Sequence, residues 1–342
     1  MPGQTLDTVS ISEFTDTTMR TWVGPNTNFV ERGNAAKLYI YDAIPYNTGV
    51  SKVYQEIDVS TFATLKLEGA DASKATVQRG YSKTMTLRRF AKEIDITWEE
   101  RMQNRNPEVM TKLTNLAHFC PNRMELDLTH RLTFATGTSY TDQDGVSVTT
   151  TVGDGLALVS AVHTLSGSST TFSNVITGNP TFSKGGLEIA ELQANTQILT
   201  NGFAERRIFR FNYIVSSDDP TTVNDVKTFL MSITDVDQNN PGVVNVYKGK
   251  YQHLILPYLA TTAAGAYDST KNRYWGIVAA GQGVNGWQAY FGVQEQPRLL
   301  TPAPGNNGED IHNDNWTYGT RCTFGVETVG SRGFVFSTGL GA

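Results

Sequence analysis

No stretch of this chain approaches the roughly 18 consecutive apolar residues of a membrane span. Met1 to Phe14 has neither the basic start nor the apolar run of a secretion signal. Together these absences predict a soluble protein made in the cytoplasm. Cysteine is scarce: Cys120 and Cys322 stand far apart without C-x-x-C spacing, which argues against a disulfide or zinc scaffold and for buried free thiols. Charge is also scarce, at 18% of residues, and a net charge of -5 leaves no dense Lys/Arg footprint for gripping nucleic acid. Hydrophobic residues reach only 39%, the balance being Thr, Ser, Asn, Gly and Gln. That mixture suits strands, turns and wide polar contact surfaces better than a compact helical enzyme. With 342 residues the chain can still bury a large core, in roughly two domains by the length prior.

Catalytic signatures are missing as well. His118, His130, His163, His253 and His312 form no H-E-x-x-H or close pair, and neither a G-x-S-x-G elbow nor a Walker A loop occurs. His118 and Cys120, two apart on a helix, cannot face one ligand. No residue is therefore assigned a catalytic, cofactor-binding or metal role. Asp142-Gln143-Asp144-Gly145 opens like a calcium loop but lacks the later ligands and closing Glu, so it reads as a turn. Gly281, Gly283 and Gly286 make a G-x-G-x-x-G. The next residues, Trp287-Gln288-Ala289-Tyr290-Phe291, favour strand over helix, so the helix N-terminus that would hold a pyrophosphate is absent. Strand, turn, strand is the expected arrangement.

Along the chain, residues 1 to 48 lack a sustained period, yet Phe14, Trp22, Phe29, Tyr39, Tyr41 and Tyr46 recur through them. Such rings suit an extended arm held against another surface, or an irregular start to the core. From Val53 the apolar period becomes two, and it returns in Met85-Thr86-Leu87 and Ile94-Asp95-Ile96 after the small polar loop Glu68 to Lys74. A long hairpin from Val53 to Trp98 is predicted, with Glu56, Asp58 and Glu68 on one leg and Lys83, Arg88, Arg89 and Lys92 on the other. A hairpin of that length needs a second surface. Val109, Leu113, Leu116, Cys120, Met124, Leu128 and Leu132 then recur every three or four positions, giving a helix from Pro107 to Phe134 of roughly 42 Å at 1.5 Å per residue, capped by Asn106 and kinked at Pro121. Residues 138–183 read as strand and loop. Further helices are expected over 187–199 and from Asp219-Pro220, where Asp caps and Pro takes the first position. Strands are expected at 208–215, 243–247, 253–258, 274–280, 287–293 and 318–336.

This order of parts resembles the major capsid protein of tailed double-stranded DNA bacteriophages, the α+β Hong Kong 97 capsid fold. Local phrases carry the similarity: Asn212-Tyr213-Ile214-Val215-Ser216-Ser217 before the Asp219 helix, Val246-Tyr247-Lys248-Gly249 before His253-Leu254-Ile255-Leu256-Pro257, then Tyr274-Trp275-Gly276, Tyr318-Gly319 and Gly330-Ser331-Arg332-Gly333-Phe334. The resemblance implies an N-terminal arm over 1–48, an extended loop over 49–98 and a peripheral domain with its spine helix over 99–212. It further implies an axial domain over 213–300 and a return to the peripheral domain over 301–342.

It also implies self-assembly, as hexamers and pentamers, into an icosahedral virion head built in the host bacterial cytoplasm. The head would enclose DNA without sequence-specific binding, and scaffolding, portal and decoration proteins are expected partners, with no membrane and no cofactor. Trp22, Lys66, Glu68, Lys83, Arg88, Arg89 and Lys92 are the expected subunit contacts, the hairpin charges steering one subunit over the next. The resemblance implies Lys74, near the hairpin tip, as the counterpart of the lysine that some members of that family crosslink to a neighbour's asparagine, though no Asn and Glu partners are identifiable in the sequence. An encapsulin-type shell is the alternative within this fold, and a β-rich adhesin the alternative outside it.

Overall fold

The computed structural model describes residues 34–59, 62–69, 71–102, 106–166, 171–195, 210–234, 244–281, 286–300 and 315–341. In chain order these form β1 (Ile40–Ala43), β2 (Ser51–Val59), β3 (Val77–Thr86), β4 (Arg88–Ile96), α1 (Trp98–Met102), α2 (Asn106–Thr133), β5 (Ser139–Thr141), β6 (Ser147–Thr149), β7 (His163–Thr164) and β8 (Thr171–Phe172). Next come α3 (Lys184–Gln193), β9 (Tyr213–Ser216), α4 (Pro220–Met231), β10 (Gln252–Ile255), β11 (Trp275–Val278), β12 (Ala289–Leu300), β13 (Trp316–Thr328) and β14 (Phe334–Ser337). The class is α+β, as expected.

Two four-stranded sheets organise the chain, ordered β1-β12-β13-β4 and β10-β9-β11-β14. In the first, β1 runs parallel to β12 and the other pairs are antiparallel. Helix α2 packs on this sheet. All seven residues of the predicted stripe are buried, Val109 at 6% being the most exposed. Fully burying such a side chain stabilises by about 1.5–3 kcal/mol, so the stripe fixes where the helix lies. Its lower half, Cys120, Met124, Leu128 and Leu132, joins Phe291, Val293, Phe324 and Val326 of the first sheet and Val215, Val278, Phe334 and Phe336 of the second in one core. The helix continues through Pro121.

The opposite face of the second sheet carries α3 and α4, with Leu187, Ala190, Val226 and Phe229 against Ile214, Trp275, Ile277 and Val335. Asp219 caps α4 by accepting from the Thr222 N–H, and Pro220 follows at the first turn, as the Asp-Pro pair predicted. Ser183 caps α3 in the same way through Gly186 N–H.

Three expectations need correction. First, the hairpin does not run on to Trp98: β2 pairs with β3 only as far as Ser51 opposite Thr86. Upstream, Gly49 at φ 82° turns the chain away, so 88–96 has no strand to face and pairs with β13 instead. Ile96 there packs under α2 with Leu113 and Trp316. Second, no strand forms through 244–247. Val244 makes one isolated bridge to Thr234 and the chain then turns, because Asn245 directs its side chain to Phe229 O and Tyr247 N–H. Val243 itself lies outside the described residues. Third, of the strand expected over 208–215, residues 208 and 209 lie outside the described residues and pairing starts at Tyr213.

At the G-x-G-x-x-G, Gly281 adopts φ 73° after β11, and β12 comes next with no helix between them among the described residues. The two strands lie in different sheets, so the glycines mark a crossing between layers. Gly283 lies outside the described residues.

Close backbone approach constrains Gly325, where an added Cβ would stand 2.7 Å from Thr86 O and 2.9 Å from Met85 Cγ. Backbone cannot yield as a flexible side chain can. Gly325→Ala is expected to destabilise by about 1–3 kcal/mol, read as a lower urea midpoint with unchanged slope.

Candidate assembly surface

The β2–β3 hairpin stands apart from both sheets. Alternation along β2 turns Tyr54, Glu56 and Asp58 inward and leaves Val53 and Ile57 exposed, at 64% and 43%. Val77 at the start of β3, at 60%, and Phe62, Leu65 and Leu67 of the connecting loop, at 70%, 88% and 66%, complete the exposed apolar set. A small hairpin and its loop thus offer six large apolar side chains to solvent, where isolated ones would be unremarkable.

The root of the hairpin is held firmly. Tyr54 stacks on Tyr290 of β12, with ring centroids 4.0 Å apart, and its hydroxyl donates to Asp42, which also pairs with Lys52. Met85 and Leu87 pack with Ile44 and Val329. On the inward face, Arg332, in the turn between β13 and β14, donates from Nη2 to Glu56 and, at 3.2 Å, to Asp58. Burial lowers the Arg332 pKa to about 10, which still leaves it charged at neutral pH. Gly80 makes room for this cluster, since a Cβ there would meet Glu56 Cβ at 2.9 Å. Tyr81 bonds to Thr164 Oγ1 at 2.9 Å, Gln78 donates to Ser166 O, and Lys83 donates to Thr151 Oγ1 at 2.9 Å and lies 3.6 Å from Glu327.

The expected contact residues therefore separate into groups. Lys66, Glu68 and Lys74 are exposed on the loop of the hairpin. Lys83 is turned inward at the root. Arg88, half-buried, is engaged within the chain: it pairs with Asp142 at 2.7 Å and Asp127 at 3.4 Å, beside Arg123, which reaches Asp127, Asp142 and Asp144. Arg89 is exposed on β4, and Lys92, also exposed, stands 4.7 Å over the Phe119 ring. Trp22 lies outside the described residues. Glu56 and Asp58, read from sequence as steering charges, are buried within the chain against Arg332, which pairs with both.

The Asp142 turn is explained by the same cluster. Its Oδ1 accepts from Asp144 and Val146 N–H, while Oδ2 faces Arg88 and Arg123. Burial opposes its charge, but the Arg88 bond and these N–H groups outweigh burial and hold its carboxyl below the usual range. Asp127 goes the other way: burial raises it in spite of Arg123 and Arg88. The residues of the calcium-like turn are thus taken up in pairing two arginines. Among the described residues no group of three His, Cys, Asp or Glu is placed to hold a metal, and no helix is long and apolar enough to cross a membrane.

No known family's sequence profile matches the chain, and no curated protein does. Among solved structures it is similar to the capsid of Myoviridae phage XM1, at TM-score 0.48 and 12% identity over 90% of both chains. It is similar too to the capsid of cyanophage P-SCSP1u, at TM-score 0.48 and 11% identity over 88% of this chain and 86% of that one. The capsid of an empty GTA particle is a third, at TM-score 0.41 and 11% identity over 89% and 88%.

Proposed function

We propose that this chain is the structural subunit of a closed protein shell, the icosahedral head of a tailed double-stranded DNA phage of the Hong Kong 97 type. The observation that carries this proposal is the hairpin itself: a root fixed by buried ion pairs and stacked rings, and an outer part with Phe62, Leu65, Leu67 and Val77 exposed. Apolar groups held out on a rigid stem stabilise nothing within their own chain. They lose solvent when laid across a second copy, and a shell supplies such copies on every side. In this proposal 49–98 is the extended loop, α2 the spine helix of a peripheral domain over 99–212 and 301–342, and 213–300 the axial domain. Residues 1–48, with Trp22, form the arm. Lys66, Glu68, Lys74 and Arg89 lie at subunit contacts, giving register to the apolar contact. A scaffolding protein and a portal assist assembly in the host cytoplasm, decoration proteins bind outside, and the chain has no catalytic role.

Electron microscopy of the expressed protein, alone and with the scaffold, tests this. Shells or capsomer rings are expected; monomers or small closed oligomers under every assembly condition would overturn it. A Phe62→Glu/Leu65→Glu variant is expected to stay folded, with an unchanged urea midpoint, and to yield no shells. Normal shells from that variant would remove the hairpin from the contact.

A further inference from the structure

Strand β4 ends the first sheet on one side: β13 pairs with it, and among the described residues no strand lies along its other edge. Backbone groups of an antiparallel strand point alternately to its two sides. The Leu87 N–H bonds to Val50 O, and the Asp95 carbonyl takes the Lys112 ammonium at 3.4 Å, so the odd residues of this run turn their N–H and C=O away from β13. Arg89, Ala91 and Glu93, between those two, therefore line the free edge with donors and acceptors. Such an edge is a template for another strand. Beside Phe90, Ala91 and Lys92 the chain leaves a cleft of about 410 Å³ open.

Charge along the edge selects the partner. Phe90, Ile94 and Ile96 turn toward α2, whereas Arg89, Ala91 and Glu93 are exposed on the opposite face. No ion pair within the described residues engages Arg89 or Glu93. Arg321, beside Ala91 on β13, is held by Glu295 at 2.8 Å. A cation and an anion thus stand two places either side of a small residue, and that order is complementary to itself when run antiparallel.

We propose that two copies of this chain pair β4 to β4, antiparallel about a two-fold axis at Ala91, so that their four-stranded sheets become continuous. Ala91 then exchanges both backbone bonds with Ala91 of the partner subunit, and each Arg89 faces Glu93 of the partner subunit. Asp95 stands diagonal to the same cation. A register centred on Lys92 would set two ammonium groups directly opposite each other, which destabilises, and one centred on Phe90 would leave Arg89 opposite Ala91. Centring on Ala91 avoids both. The contact is isologous and closes after two copies. It needs two folded chains and no shell, so it stands or falls apart from the shell proposal.

The test is disulfide trapping of unassembled protein in a Cys120→Ser background, read on a non-reducing denaturing gel. At a hydrogen-bonded pair the Cα atoms lie about 5.5 Å apart, within reach of a disulfide. Ala91→Cys is expected to link into dimers at least tenfold faster than Lys227→Cys, an exposed control on α4. Adding Arg89→Glu or Glu93→Arg to Ala91→Cys should slow linking several-fold. Adding both, or mixing the two charge variants, should restore it, because opposite charges again face each other. Linking no faster than in the control overturns the pairing, and equal linking in every charge variant overturns the register.

Discussion

Arg332→Met is expected to lower the stability of the subunit by about 3–5 kcal/mol, because it takes from the buried Glu56 and Asp58 carboxylates the guanidinium that pairs with both. Side-chain exposures are 6% for Arg332, 7% for Glu56 and 10% for Asp58, so water cannot replace the guanidinium. A matching-volume methionine keeps the packing, which isolates the loss of charge. The control is Arg332→Met/Glu56→Gln/Asp58→Asn: with neither cation nor anions, most of the loss should be recovered, since breaking one side of a buried pair costs far more than removing both. Urea unfolding of wild type and both variants checks this. A single Arg332→Met variant within 1 kcal/mol of wild type, on the order of a surface substitution, would show that the hairpin root is held by packing alone.

Acid is the second large lever, through His130. This residue, 1% exposed on α2, places Nε2 3.0 Å from Thr261 Oγ1, and the Thr261 hydroxyl itself donates to Tyr258 O. The imidazole must therefore donate through Nε2 as a neutral ring. Burial, with Lys271 and Arg123 adding and Asp142 opposing, lowers its pKa from 6.5 to about 4. Between those values the unfolded chain binds a proton that the folded chain refuses. The contribution of His130 is thus complete above pH 6.5 and is lost as pH falls toward 4, at up to about 1.4 kcal/mol per pH unit and about 3 kcal/mol in all. His253, likewise lowered to about 4, chiefly by burial, acts with the same sign. Asp142, held low, adds a loss only as pH falls from the unfolded carboxylate range through its folded value. Urea midpoints at pH 7, 5.5 and 4.5 should fall steadily in wild type, and His130→Gln should flatten that slope. An equally steep slope in the variant would assign the acid response elsewhere.

Much of the fold could be read from local pattern. The seven-residue stripe of α2 and the Asp219-Pro220 start of α4 were visible because helix periodicity and capping are written within a few residues. Strand existence was equally plain from 274 onward. Partner choice was not: β3 and β4 read as one leg because alternation says which residues face inward but not which strand lies alongside. The interface candidates suffered from the same limit. Glu56 and Arg332 are 276 positions apart, and nothing near either names the other. A signal existed nonetheless. Tyr54, Glu56 and Asp58 share one parity, so an inward Tyr requires two inward acids, and inward acids require a cation. Arg123 was similarly hidden, an arginine beside the apolar seam whose neutralising aspartates come from its own next turn and from the β5–β6 turn.

The place of β13 has a consequence for biosynthesis. It is the strand between β12 and β4, so the first sheet cannot close until residues 316–328 have been made, after every other strand of that sheet. Arg332 comes later still. Until then β4 and β12 have no neighbour in common, and the hairpin, although Gln78, Tyr81 and Lys83 can already meet Ser166, Thr164 and Thr151, lacks the Arg332 contact to Glu56 and Asp58. Pairing across such separations is slow and comes late in folding. A nascent or prematurely terminated chain therefore holds its hairpin without the buried ion pairs at its root. If the hairpin is the subunit contact proposed above, a chain that ends before these strands would be left out of the shell.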